Sequence, residues 1–192
     1  MEKEPGRKER SHDRIVDAAA RAIRRHGYAG VGVADVMKEA GLTHGGFYAH
    51  FESRDALLVE ALERAARSSA DLIARRREAL RGSGVSPFRA MVDNYLSDDH
   101  LRTRDAGCPV AALCSEMPRQ SPEVREASSA RVRALVKYVQ HSLPAAVAAE
   151  EAGVVAATMV SSLQLARAIG SVEEGKALLA STRKSLLDRY ES

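Results

Sequence analysis

Residues 27–58 read Gly27-Tyr-Ala-Gly-Val-Gly-Val-Ala-Asp-Val-Met-Lys-Glu-Ala-Gly-Leu-Thr-His-Gly-Gly-Phe-Tyr-Ala-His-Phe-Glu-Ser-Arg-Asp-Ala-Leu-Leu58. Val33, Val36, Met37 and Ala40 recur at helical spacing, and Gly41 supplies the left-handed residue that ends this helix. Thr43 can cap the next helix, barely two turns long before Phe51. Two crossed helices joined by a glycine-containing turn form a helix-turn-helix, whose second helix enters the major groove of DNA.

Working outward, the first helix is expected from near Ser11 or His12 to Gly27, with Ile15, Ala18, Ala19, Ala22 and Ile23 on one face. Residues 1–10 are charged and contain Pro5 and Gly6, which predicts a flexible arm. Ser53 caps a long helix whose apolar stripe runs through Leu57, Leu58, Ala61, Leu62, Ala65, Leu72, Ile73 and Leu80, until Gly82-Ser83-Gly84 stops it. Pro87 opens the next helix, and residues 98–107 are polar and predicted as loop. A short helix over residues 109–117 follows, then one from Ser121-Pro122-Glu123 to before Pro144. Two further helices are predicted over residues 145–168 and, from a Ser171 capping box, to about Tyr190. Nothing alternates with period two long enough to make a strand. The predicted class is all-α with about nine helices: an arm (1–10), a three-helix DNA-binding head (11–54), and a larger helical effector-binding and dimerisation domain (55–192).

The head resembles the N-terminal domain of TetR-family transcriptional regulators. Ala40-Gly41-Leu42-Thr43, Gly46-Phe47-Tyr48-Ala49-His50-Phe51 and Ser53-Arg54-Asp55-Ala56-Leu57-Leu58 carry the likeness, which covers roughly residues 11–62. The resemblance implies a homodimeric repressor that binds double-stranded DNA and holds a small-molecule pocket in its C-terminal part.

Composition sets wider bounds. The chain has 192 residues, 45% hydrophobic and 4% aromatic with no Trp, so its core packs through Ala, Leu and Val. A net charge of +3 and a pI near 9.0 are too mild to identify a nucleic-acid binder alone. Arg7, Lys8, Arg10, Arg14, Arg21, Arg24 and Arg25 nevertheless crowd the first helix and its leader, as a solvated face or as a phosphate-facing one. No apolar signal segment follows the charged start, and residues 154–168 are too short and polar to span a bilayer, so the expected location is cytoplasmic, without membrane. Cys108 and Cys114, on one helix, would stand about 9 Å apart at ~1.5 Å per residue, beyond disulfide reach.

Thr43, His44, Gly45 and Gly46 fall at the groove end of the recognition helix, Thr43 and His44 as base readers and the glycines for close backbone approach. By resemblance, Tyr48, His50 and Arg54 grip phosphates, and Arg14 joins them as a basic candidate. Phe47 and Phe51 read as core. Val31-Gly32 departs from the pair of hydroxyl residues usual in the family, which removes one phosphate contact while leaving an acceptable N-cap.

Dimerisation is assigned to the last two helices, through Val155, Met159, Leu163, Leu179 and Leu186, with ordinary intrachain burial as the alternative. For the effector, the candidates are Phe88, Met91, Tyr95, Cys108, Cys114, Met117, Tyr138, Met159, Gln164 and Arg167, a soft apolar set that suits an apolar or aromatic ligand. Gly107-Cys108 also resembles the reactive-cysteine position of TetR-type electrophile sensors, with Arg167 as the supporting base. The rival function is a thiol-based redox or ligand-binding protein that uses Cys108 without touching DNA. Gly30-Val31-Gly32 lacks the third glycine and the strand of a dinucleotide site, and His44 with His50 makes a poor metal pair, so no cofactor, metal or enzyme activity is expected.

Overall fold

The computed structural model describes residues 6–80 and 82–191. Among these there are nine α-helices, two 3₁₀ helices and no strand. Helix α1 (Arg7–His26) begins earlier than Ser11 because Gly6 serves as N-cap, its N–H donating to Glu9 Oε2 at 3.3 Å. Residues 7–10 of the expected arm are therefore helical, and residues 1–5 lie outside the described residues. Alanines at 18, 19 and 22 let the α1 backbone lie close against α3 (Arg54–Ala79), with Ile15 and Ile23 filling the seam.

Helix α2 (Val33–Glu39) starts at Gly32 and ends in a Schellman motif: Gly41 N–H reaches Lys38 O at 2.9 Å and Leu42 N–H reaches Met37 O at 2.8 Å. Gly41 sits at φ +68°, so the turn needs glycine as the sequence indicated. The expected third helix is a 3₁₀ helix, His44–Ala49, since two adjacent glycines weaken α-helix formation while Phe47 and Phe51 must both turn inward. Ser53 Oγ then accepts from Ala56 N–H at 3.0 Å and launches α3. Leu57, Leu58 and Leu62 are fully buried, each stabilising by about 1.5–3 kcal/mol. Beyond Ala65 the stripe loses its cover, and Leu72 and Leu80 are exposed.

Helix α4 (Pro87–Tyr95) is capped by Ser86. The segment expected as loop contains α5 (Asp98–Arg102), capped by Ser97 with two aspartates in its first turn. Helix α6 (Pro109–Leu113) is shorter than expected, and a 3₁₀ turn, Met117–Arg119, replaces its end because Pro118 disfavours the α conformation at Met117. Helix α7 is Pro122–Ser142. Residues after Pro144 form i→i+3 turns, so α8 (Glu151–Ala168) begins later than predicted. Helix α9 (Val172–Tyr190) has the expected Ser171 cap, accepting from Glu174 N–H at 3.3 Å. The long α3 serves both ends of the molecule: its first half completes the core beneath α1, and its second half walls a cavity with α7.

Candidate nucleic-acid interface and effector pocket

Thr43, His44, Gly45 and Tyr48 form an exposed edge on the 3₁₀ helix, while Phe47 and Phe51 stack inward with centroids 5.5 Å apart. Tyr48 is 75% exposed, its ring touching only the edge of Phe47. Thr43 occupies the N-cap position without a side-chain capping bond. A Cβ on Gly45 would meet nothing within 4 Å, and one on Gly46 would make ordinary contact with Met37 Cε at 3.7 Å. Neither glycine has positive φ. Nothing among the described residues requires glycine at either position.

Two expected phosphate contacts bond backbone carbonyls of the head. Arg54 donates from Nε to Val31 O at 3.1 Å and from Nη2 to Tyr28 O, tying the α1–α2 connection onto α3. Arg14 donates to Ala40 O at the C-terminal end of α2, where a cation also opposes the helix dipole. Both are clamps of the head; the sequence gives the charge but not the carbonyl it finds. His50 is half-buried, with Nδ1 enclosed and unpartnered, and burial, then His12 and Lys8, push its pKa down. His12, not singled out from the sequence, stacks on Phe51 at 4.7 Å and bonds Glu60 at 2.7 Å.

Between α3, α7 and the Cys108 end of α6 lies a cavity in two connected chambers, of about 110 Å³ and 300 Å³, which share Ser69, Ile73, Cys108, Leu135 and Tyr138. Of the ten effector candidates, Tyr95, Cys108 and Tyr138 line it. Phe88, Met91, Met117 and Met159 are buried core instead, Phe88 lying edge-on to Tyr190 at 5.7 Å. Gln164 Nε2 donates to Cys114 Sγ at 3.2 Å, which occupies both groups away from the cavity. The residues missed are Leu72, Ile73, Arg76, Arg77, Arg131 and Leu135. Their signal was an apolar stripe on the long helix that outruns its packing partner.

At the inner end, Tyr95 is 5% exposed and its hydroxyl is buried without a hydrogen-bond partner. Burial, then the neighbouring Cys108, pushes the phenol well above its ordinary pKa. His100 Nδ1 bonds Tyr95 O at 2.7 Å, and Nε2 receives Cys108 N–H at 3.0 Å. An acceptor at Nε2 fixes the neutral Nδ1–H tautomer, and burial lowers this pKa to about 4, Arg167 and Arg76 adding to the shift. Arg167 donates to His100 O at 2.6 Å, with Nε buried and unpartnered, and burial pulls its pKa below the ordinary guanidinium value. Arg167 thus stands behind the thiol corner while lining a different, shallower cleft. Both cysteines are free thiols.

Val155, Met159 and Leu163 are 0% exposed within the single chain, and Leu179 and Leu186 are also buried. These five pack α8 and α9 into their own core within the single chain. The opposite face of α8 carries the free apolar surface: Val154 at 50%, Leu165 at 58% and Ile169 at 44% exposure, interleaved with Ala157 and Ser161.

Head and cavity are joined by few, specific bonds. Glu116 Oε2 accepts Tyr28 N–H at 2.9 Å, and the Tyr28 hydroxyl pairs with Ser128 Oγ on α7 at 2.8 Å. Gly27 has φ +73°, and a Cβ there would come within 2.2 Å of Glu116 Oε1, so glycine is needed for this close approach. Arg25 and Asp105 form an ion pair at 2.8 Å alongside.

Comparison with known proteins agrees with this arrangement at both ends. A family model described as bacterial regulatory proteins, tetR family, matches residues 15–61, and one described as tetracyclin repressor-like, C-terminal domain, matches residues 84–185. An HTH-type transcriptional regulator of Mycobacterium tuberculosis is 28% identical over 166 residues, covering 81% of this chain and 83% of its own. The Bacillus subtilis HTH-type regulator YerO is 35% identical over 51 residues, 27% of this chain but only 18% of that protein. A TetR-family regulator structure from Agrobacterium tumefaciens superposes with TM-score 0.76 at 21% identity, covering 95% of this chain and 98% of the other, a likeness of fold. No described helix is long and apolar enough to cross a membrane.

Proposed function

The chain belongs to the TetR family of bacterial regulatory proteins, and from that premise we propose that it is a ligand-responsive repressor acting as a homodimer on a palindromic operator. The observation that carries the reading is the exposed edge of Thr43, His44, Gly45 and Tyr48, whose residue types nothing within the chain demands. A glycine with open space beside it lets backbone approach a phosphate or a base edge, and an exposed phenol with no intrachain partner is free to donate to a phosphate. Thr43 and His44 read bases; Tyr48 and His50 position the head. Arg54 and Arg14 hold the head's shape.

The exposed stripe of Val154, Leu165 and Ile169 on α8, with Ala157 and Ser161 allowing close approach, supports a symmetric helix-on-helix interface. Two recognition helices one helical turn apart then face successive major grooves. A small effector in the cavity beside Cys108 binds the DNA-incompetent arrangement more tightly and shifts α3, changing the separation of the heads. The place of Cys108 in the cavity wall also supports a thiol-responsive version, in which an electrophile is the effector.

The test is a titration against the protein's own promoter region. Affinity falls steeply as salt rises, because neutralised phosphates release counterions, and exceeds that for random duplex. Flat salt dependence without sequence preference would instead support the rival, a thiol or ligand-binding protein without DNA. Repeating it with iodoacetamide-treated protein tests the thiol version.

A further inference from the structure

Three arginines edge the cavity, and they are not alike. Arg76 is matched by Asp99 at 3.4 Å and by Asn94. Arg77 from α3 and Arg131 from α7 both line the larger chamber, and no carboxylate is among the described residues that line it. Neither has an ion-pair partner among the described residues. The Nε of Arg131 is shielded from solvent and has no acceptor, a state that costs free energy until an acceptor arrives. Between the two cations the wall is apolar, with Ile73, Leu135 and Tyr138 leading to Cys108. At the far end the buried Tyr95 edges the cavity beside Cys108.

We propose that the effector is an amphiphilic organic anion, its carboxylate held by Arg77 and Arg131 and its apolar body lying along Ile73, Leu135 and Tyr138. This rests on the reading of the cavity as the effector pocket. Guanidinium matches carboxylate geometry in a bidentate way, and two such groups beside an apolar wall select an anion with an apolar body. A neutral molecule of the same shape leaves both cations unmatched, and an ammonium is repelled.

The experiment uses the full chain and N-phenyl-1-naphthylamine, a neutral dye whose fluorescence rises in apolar cavities. Octanoate, octan-1-ol and octylammonium compete for the dye. Octanoate is expected to displace it at a concentration about tenfold or more below octan-1-ol, with octylammonium weakest. Arg77→Gln with Arg131→Gln is expected to bring octanoate to the octan-1-ol level while dye binding stays, and Arg131→Glu to favour octylammonium. Dye binding with equal competition by octanoate and octan-1-ol overturns the anion assignment and leaves the pocket standing. No dye binding overturns the pocket and the assignment together. If the double variant fails to fold, the ranking of the three ligands on the unaltered chain decides.

Discussion

Tyr48→Phe removes one oxygen atom from the head and nothing else. The hydroxyl has no hydrogen bond among the described residues, and the side chain is 75% exposed. Its loss therefore changes folding stability by no more than about 0.5 kcal/mol, the range of exposed substitutions away from special features. For a chain of this length that moves Tm by about 2 °C at most. On DNA the balance is different. A hydrogen bond to a charged group contributes roughly 1.5–3 kcal/mol, and a dimer makes it twice, so operator affinity falls by about 3 kcal/mol or more, on the order of 10²-fold.

The phenol brings no cation to the phosphate, so no counterion release is lost. The slope of log affinity against log salt should stay that of the unaltered protein while the whole line drops. Fluorescence anisotropy with a labelled promoter fragment, at four salt concentrations, measures both. Wild-type affinity in the variant would refute the phosphate contact. A Tm lower by more than about 5 °C would show that the hydroxyl is structural instead.

Gly45→Ala should leave stability unchanged or raise it by up to about 1 kcal/mol, since its Cβ meets open space, while weakening operator binding by roughly tenfold or more; chemical denaturation and anisotropy read the two effects separately. Leu165→Glu should convert the dimer to a folded monomer in sedimentation, whereas Met159→Ala, a core truncation, should cost about 2–5 kcal/mol without favouring monomer. His100 titrates at about 4 in the fold against about 6.5 when exposed, so the unfolded chain takes the proton first as pH falls. Stability is complete above about pH 6.5 and declines toward pH 4 by up to about 3 kcal/mol; urea midpoints across that window should flatten in His100→Asn.

The head was legible in the sequence because its determinants are local. Gly41 forces the Schellman turn, Ser53 caps α3, and the four-residue spacing of Phe47 and Phe51 sends both rings to one core. Place in the helix-turn-helix marked Thr43, His44 and Gly45, and resemblance to the family marked Tyr48, and all four are exposed. The partner of a long charged side chain is a different matter. Arg14 and Arg54 reach carbonyls 26 and 23 residues away in sequence, and no local pattern names them. Helix α8 was misassigned for a related reason. It is apolar on almost every side, so periodicity cannot say which stripe meets α9 and which remains for a partner. Met159 and Leu165 look alike in a sequence and differ completely in exposure. The cavity was missed in part because it is a space left between α3 and α7, elements far apart in the chain. Helix α5 is the exception, since Ser97-Asp98-Asp99 is a local start signal that was open to reading.

The path from cavity to head follows from where one short segment is anchored. Cys108, Pro109 and Val110 form part of the chamber wall, and six residues later Glu116 receives the Tyr28 N–H at the end of α1. On the other side, Ser128 holds the Tyr28 hydroxyl from α7, the helix that supplies Leu135 and Tyr138 to the same cavity. Tyr28 is thus held from two sides of the proposed pocket, and on that proposal an effector acts by separating them. A tenfold change in operator affinity needs about 1.4 kcal/mol of coupling, which is the size of one charge-assisted hydrogen bond such as that from Tyr28 N–H to Glu116. No long chain of rearrangements is required. A displacement that lengthens this one contact in the bound state, and leaves it intact in the free state, supplies enough differential free energy for a switch. The left-handed Gly27 beside it leaves room for the Glu116 carboxylate that makes this contact.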